Sequence, residues 1–311
     1  MKLDAVHARM AILAMTLLVG PAVVSSARAE QLPSASPLLP IFASGPFHEM
    51  ETKYMFGFTD GADIGAEGEK AVELETTAGF GRRGGRYHAI EQELEFEQVL
   101  TQNFAYELSA HGLYNNIHNV EGMDNINRAA FGGLSAKFRY LLLGRGPESP
   151  FGLTFSFEPE WARVEGDTGM NTQLWGSTFK IVADTELIPN RLYAAVNLIY
   201  APEVAKSPGA TGWERASSLG VTGALSWRLT PRIAIGAEVE HYHAFDGLYF
   251  NHEVGHAWYV GPTLQINFTN KTLLALAFST QVAGHAVADP RALDLTNFEK
   301  YHFNMKFEVE F

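Results

Sequence analysis

Residues 301–311 read YHFNMKFEVEF. Tyr301, Phe303, Met305, Phe307, Val309 and Phe311 alternate with His302, Asn304, Lys306, Glu308 and Glu310. A period of two separates an apolar from a polar set, which is the mark of a β-strand with one greasy and one wet face. An all-β chain would repeat this pattern upstream.

It does. Val72, Leu74, Thr76, Ala78 and Phe80 oppose Glu73, Glu75 and Thr77. Phe151, Leu153, Phe155 and Phe157 oppose Thr154, Ser156 and Glu158, and Leu219, Val221, Leu225 and Trp227 oppose Thr222, Ser226 and Arg228. Twelve such segments are predicted: 71–82, 86–99, 101–114, 128–143, 151–164, 173–187, 190–201, 214–229, 231–243, 255–268, 271–284 and 298–311. Most are long enough for a tilted strand crossing a bilayer, which needs about 9–11 residues. Soluble sandwiches also alternate, so the connections decide. Short turns near Thr101, 144–150, 189–190, 230–231 and 269–271 alternate with longer loops at 115–127, 164–172, 202–212, 245–254 and 285–297. Tight periplasmic turns and longer outer loops are the habit of membrane barrels. Gly84-Gly85 is the one tight turn where a long loop is expected. The prediction is an all-β, transmembrane, antiparallel up-and-down β-barrel of about twelve strands over residues 71–311, both ends periplasmic.

Aromatic residues fit two interfacial girdles, Tyr114, Trp161, Trp175, Tyr200 and Trp258 near the outer strand ends, and Phe104, Phe151, Trp227, Phe268 and Phe311 near the inner ends. An alternating last strand ending on Phe311 resembles bacterial outer-membrane β-barrel proteins. That resemblance implies delivery by periplasmic chaperones, recognition of the terminal Phe by the barrel assembly machinery, and outer-membrane lipid as the surrounding partner. Phe56-Gly57-Phe58-Thr59-Asp60-Gly61, ahead of the first strand, is similar to a stretch in an uncharacterised group of such barrels.

Residues 1–29 carry a basic start, an apolar run from Met10 to Val24 and Ala27-Arg28-Ala29, the layout of a secretory signal peptide. Excluding them removes Lys2, Arg9 and Arg28 against Asp4, so the formal net charge of −12 becomes −14. Such acidity argues against nucleic acid. There is no cysteine, hence no disulfide. Residues 30–70 form a periplasmic segment or a small plug: 31–48 is a Pro- and Ser-rich linker, and 50–59 could pair as a strand. The piece is short for a plug, which favours a tuck against the inner mouth.

Asn251-His252-Glu253-Val254-Gly255-His256 contains His-Glu-x-x-His, which binds zinc when it lies on a helix. Gly255, Pro262 and the following alternation argue for a strand, where His252 and His256 would stand about 13 Å apart at roughly 3.3 Å per residue. No protease is expected, and neither a metal nor a cofactor. His241, His243, His252 and His256 could crowd one outer rim and hold a transition metal weakly. Parity turns His241, His243 and His256 toward lipid, where they supplement the girdle. Ser109, His111 and Glu107 share a face, but Ser109 and His111 are about 6.6 Å apart along a strand, too far for a nucleophile–base pair. An enzyme is not expected.

The inward faces bear the functional signal. Glu73, Glu75, Glu91, Glu93, Glu95, Glu107, Glu308 and Glu310 make one wall acidic, provided the last strand closes on the first. Lys137, Arg139, Lys180 and Arg228 lie elsewhere. Opposed walls across water would favour cations, making a narrow, cation-preferring pore for a small polar or cationic solute. Charges paired across the bore would instead make a closed structural or surface-interaction barrel.

Overall fold

The computed structural model describes residues 52–146 and 149–311; the signal-peptide and linker readings lie outside the described residues. Twelve antiparallel strands form a closed barrel. They are β1 Lys70–Phe80, β2 Arg86–Thr101, β3 Phe104–His118, β4 Ile126–Leu143, β5 Phe151–Val164 and β6 Asn171–Ile188. Then come β7 Leu192–Lys206, β8 Glu214–Thr230, β9 Ile233–Asp246, β10 Glu253–Thr269, β11 Thr272–Ala286 and β12 Tyr301–Glu310. Every strand pairs with its sequence neighbours, and β1 pairs with β12 from Ala71↔Glu310 to Phe80↔Tyr301. Closure leaves no free sheet edge, so the backbone groups of each strand are met by its neighbours, as a hydrocarbon environment requires.

Alternation sorts the side chains. Leu94, Leu108, Leu134, Val196, Val221 and Leu225 are exposed on the outside, while Thr154, Ser177, Asn197, Thr222, Ser226 and Gln265 are buried within. An apolar exterior around a polar interior inverts a soluble protein and suits lipid outside. The outer face also carries a ladder of rings, Phe104, Phe138, Phe157, Phe179 and Tyr200, stacked from β3 to β7 with centroids 5.0–6.4 Å apart. Each ring covers its neighbour across the strand pair.

Several strands run beyond their alternating cores. β7 continues through Lys206, opposite Gln173, and β10 starts at Glu253, opposite Phe245. Backbone pairing needs no side-chain pattern, so the ladder persists after the period ends. The register shift between Glu253 and Gly255 is a bulge that re-aims the first residues of β10. Gly261 leaves room for the neighbouring strand: a Cβ there would lie 1.7 Å from the Phe278 carbonyl oxygen.

Candidate functional site

Residues 52–64 run through the inner half of the barrel. Met55 and Phe56 are buried against Tyr193, Ala195, Ala224 and Ala234 of β7, β8 and β9. Gly57 makes the turn possible: its φ is +88°, and a Cβ would sit 2.6 Å from Ala277 Cβ and 2.7 Å from Glu238. The polar groups of the segment are met from the wall. The Phe58 and Thr59 amides donate to Glu238 Oε2 at 3.0 and 3.1 Å, and the Asp60 amide donates to Asn197 Oδ1 at 2.7 Å. The Ala62 amide donates to Asp184 at 3.1 Å, while Arg139 Nη2 donates to the Gly61 and Asp63 carbonyls at 2.9 and 3.0 Å.

Charges lock the same segment. Lys53 pairs with Glu97 and, at 3.4 Å, with Glu107. Burial alone would lower the Lys53 ammonium, but Glu97, Glu107 and Glu308 outweigh it and hold its pKa well above the ordinary range. Asp60 meets Lys180 at 2.5 Å and Lys306 at 3.7 Å. Burial would raise its carboxyl, and Lys180, Lys306 and Arg139 overcome that and hold it well below the usual carboxylate range. Asp63 lies 3.2 Å from Arg145, which also reaches Asp184 at 2.6 Å. Between this segment and the wall remains a cavity of about 10 Å³, lined by Lys53, Asp60, Glu73, Glu95, Lys137 and Lys306 among others. That is roughly the space of one water.

The acidic residues assemble around the β12–β1–β2 seam. Glu73 is the Cα partner of both Glu308 and Glu95, so three carboxylates stand side by side. Glu75 faces Glu93 and Lys306, whose ammonium is 3.6 Å from it. Glu91 accepts from or is paired with His111 Nδ1 at 2.7 Å. Glu310 is at the end of β12, where its amide donates to the Lys271 carbonyl. The basic residues adjoin the acids instead of facing them across the bore. Lys137 is the Cα partner of Glu107 and reaches Glu107 at 2.5 Å and Glu95 at 3.1 Å; Arg139 is 4.0 Å from Glu107. Register decides this, since β3 and β4 are neighbours and residues 107 and 137 fall opposite. Lys180 serves Asp60, and Arg228 lies over the Tyr193 ring at 4.3 Å. The sequence reading leaves out Glu97, Lys53, Asp63 and Arg145, and it gives Asp60, quoted above only within the Phe56–Gly61 stretch, no ionic role. Glu97 shares the parity of Glu91, Glu93 and Glu95 and was legible; the others lie outside strands and carry no period.

The outer end is drawn in by the β11–β12 connection. Arg82 pairs with Glu299 at 2.6 Å and Asp167 at 3.4 Å. Burial would raise the Glu299 carboxyl, but Arg82 and His302 hold it well below its ordinary range. Tyr259 donates to the Glu299 carbonyl at 2.5 Å. Beside it, loops 119–125, 165–170 and 207–213 border a cavity of about 710 Å³ that includes Met123, Arg128, Thr168, Met170 and Ser207.

Of the ring-bearing girdle residues, Tyr114, Trp175, Trp258, Phe151, Trp227, Phe268 and Phe311 are exposed. Trp161, Tyr200 and Phe104 are partly covered, the last two by the ring ladder. Ser109 lies 3.4 Å from Glu95, whereas His111 engages Glu91 and Ser135, so these two do not form a nucleophile–base pair. Outside the barrel, His241, His243 and His256 gather as parity requires. His252 stands in the β9–β10 loop, and His285 of β11, the Cα partner of His256, joins the cluster in its place.

A closed antiparallel barrel, apolar outside and charged within, is a transmembrane barrel of the bacterial outer-membrane kind, set in outer-membrane lipid. The chain belongs to a family of unknown function (DUF6662), whose model matches residues 48–311. A search of curated proteins found no match. Among solved structures, the COG4313 outer membrane channel from Pseudomonas putida F1 is similar at 11% identity and TM-score 0.53, covering 80% of this chain and 98% of that one. The translocator domain of the autotransporter NalP from Neisseria meningitidis aligns at 12% identity and TM-score 0.48, over 80% and 90% of the two chains. At 11% identity the likeness to the Pseudomonas channel is one of fold.

Proposed function

We propose that the protein is a narrow, cation-preferring channel for small polar solutes, with residues 52–64 acting as a plug that closes it at rest. The observation that carries this reading is the row Glu308, Glu73 and Glu95 on three adjacent strands. Like charges side by side destabilise a ladder, and a core built for stability alone is better served by apolar packing. Among the described residues no Lys or Arg lies within ion-pair distance of Glu73 or Glu308, and one oxygen of Glu73 has no hydrogen-bond partner. A passing cation would relieve this repulsion. Lys53, inserted between Glu97 and Glu107, is on this reading a tethered cation occupying the path. That the similar Pseudomonas structure is described as an outer membrane channel agrees with it. On the same reading, the Phe56–Gly61 stretch at the plug's turn is what distinguishes the subgroup.

The test is the reversal potential of refolded protein in a planar bilayer under a salt gradient. Wild type should read toward the cation potential. The pair Glu73→Gln and Glu95→Gln should move it toward zero while the barrel keeps its heat-dependent gel shift. An unaltered potential in that variant would overturn the proposal. A closed structural barrel is the second reading, favoured by the cavity of only about 10 Å³ beside the plug; it requires electrical silence from inserted protein.

A further inference from the structure

We infer that the outer surface of the barrel carries a binding site for one divalent transition-metal ion, formed by His243, Glu253 and His256. The ligand-bearing atoms of these three residues lie within 4.8 Å of one another. His243 Nδ1 and His256 Nδ1 stand 2.8 and 2.9 Å from the same oxygen, Glu253 Oε1. Ligand atoms around a tetrahedral zinc are about 3.3 Å apart when each bond is near 2.0–2.1 Å. An ion therefore needs the carboxylate to back away by about half an ångström, well within side-chain freedom at a half-exposed rim.

The backbone explains why these three meet. His243 and His256 are Cα partners on β9 and β10, so their rings share the outer face. In an unbroken strand Glu253 would point the opposite way from His256. The register shift between Glu253 and Gly255 cancels that difference and brings the carboxylate round to the rings. Thus two of the three defined residues of the His-Glu-x-x-His motif contribute, through a bulge and not a helix, and its first His stays out in the loop.

A second observation points to a ligand. His241 is stacked on Trp258, with centroids 3.8 Å apart, and its ring is 4.3 Å from His243 and 5.9 Å from His256. Its Nε2 is buried without a hydrogen-bond partner. An unpaired imidazole nitrogen beside two other imidazoles is a further nitrogen donor at the edge of the cluster. Two imidazoles and one carboxylate, with a third imidazole beside them, select Zn²⁺ or Cu²⁺ over the hard ions Ca²⁺ and Mg²⁺, which prefer oxygen. The acidic trio Glu95, Glu97 and Glu107 inside the barrel, by contrast, already holds Lys53 and Lys137.

The test is equilibrium dialysis of the refolded, tag-free barrel against Zn²⁺. One Zn²⁺ per chain is expected, unmoved by millimolar Ca²⁺. Glu253→Gln and the pair His243→Ala with His256→Ala should weaken binding at least tenfold, and His252→Ala should leave it unchanged. These side chains lie outside the barrel, and the heat-dependent gel shift checks that each variant is folded. Folded wild type that binds no Zn²⁺, binding undiminished in the paired His variant, or displacement by Ca²⁺ would each overturn the site.

Discussion

Replacing Lys53 by Ala should release residues 52–64 from the barrel without unfolding it. The Lys53 side chain is 3% exposed, and its partners Glu97 and Glu107 are 5% and 1% exposed. Removing one member of a buried ion pair costs about 3–5 kcal/mol, because the partner is left charged and unsolvated. The lower end applies here. Lys137 at 2.5 Å still serves Glu107, so Glu97 alone loses its cation. About 3 kcal/mol corresponds to roughly a hundredfold shift between docked and undocked segment, since each 1.4 kcal/mol is tenfold. The chain has no cysteine, so one introduced thiol can report the shift. Thr59→Cys, at a fully buried position, should react slowly with a water-soluble thiol reagent in the parent and about a hundredfold faster beside Lys53→Ala. Ala66→Cys, exposed in both backgrounds, calibrates the reagent. Equal protection of Thr59→Cys with and without Lys53 would refute the idea that the buried charges dock the segment.

Other perturbations separate the plug from the wall. Gly57→Val should undock the same segment, because φ is +88° and a Cβ would clash with Ala277 and Glu238; the Thr59→Cys thiol reads it. Val196→Lys, on the exposed outer face of β7, should lower barrel stability by about 2–4 kcal/mol if it lies at the bilayer midplane, measured by urea unfolding in lipid. The Asp60 carboxyl is depressed in the folded state, so its contribution is complete above the ordinary Asp value of 3.8 and is lost only as pH falls below it. Thiol protection at residue 59 attributable to Asp60 should therefore persist from pH 7 to pH 5, and Asp60→Asn should abolish it at both.

The barrel was legible because its physics is local and repetitive. Val72 to Phe80, or Tyr301 to Phe311, declares a face every second residue, and twelve repetitions separated by alternating short and long connections leave little choice of architecture. Closure, too, could be anticipated, and with it the adjacency of Glu73 and Glu308. What escaped was whatever depends on register or on long-range contact. Alternation alone assigns Lys137 to a separate wall, although residue 137 falls opposite Glu107 once β3 and β4 pair. The path of residues 52–64 depends on partners such as Glu238 and Asn197, far away in the chain, and on a left-handed Gly57 that no period announces. One bulge sufficed to hide Glu253 from His243 and His256, because parity arguments assume an unbroken strand.

The most direct test of a plugged, acid-lined channel is single-channel recording from the pair Lys53→Ala with Asp60→Asn beside wild type. Freed from two of its three ion-pair anchors, with Asp63–Arg145 remaining, the variant should open more often and in larger cation-carrying steps than wild type. Silence from folded, inserted variant protein, or steps identical to those of wild type, would contradict a lumen closed by residues 52–64.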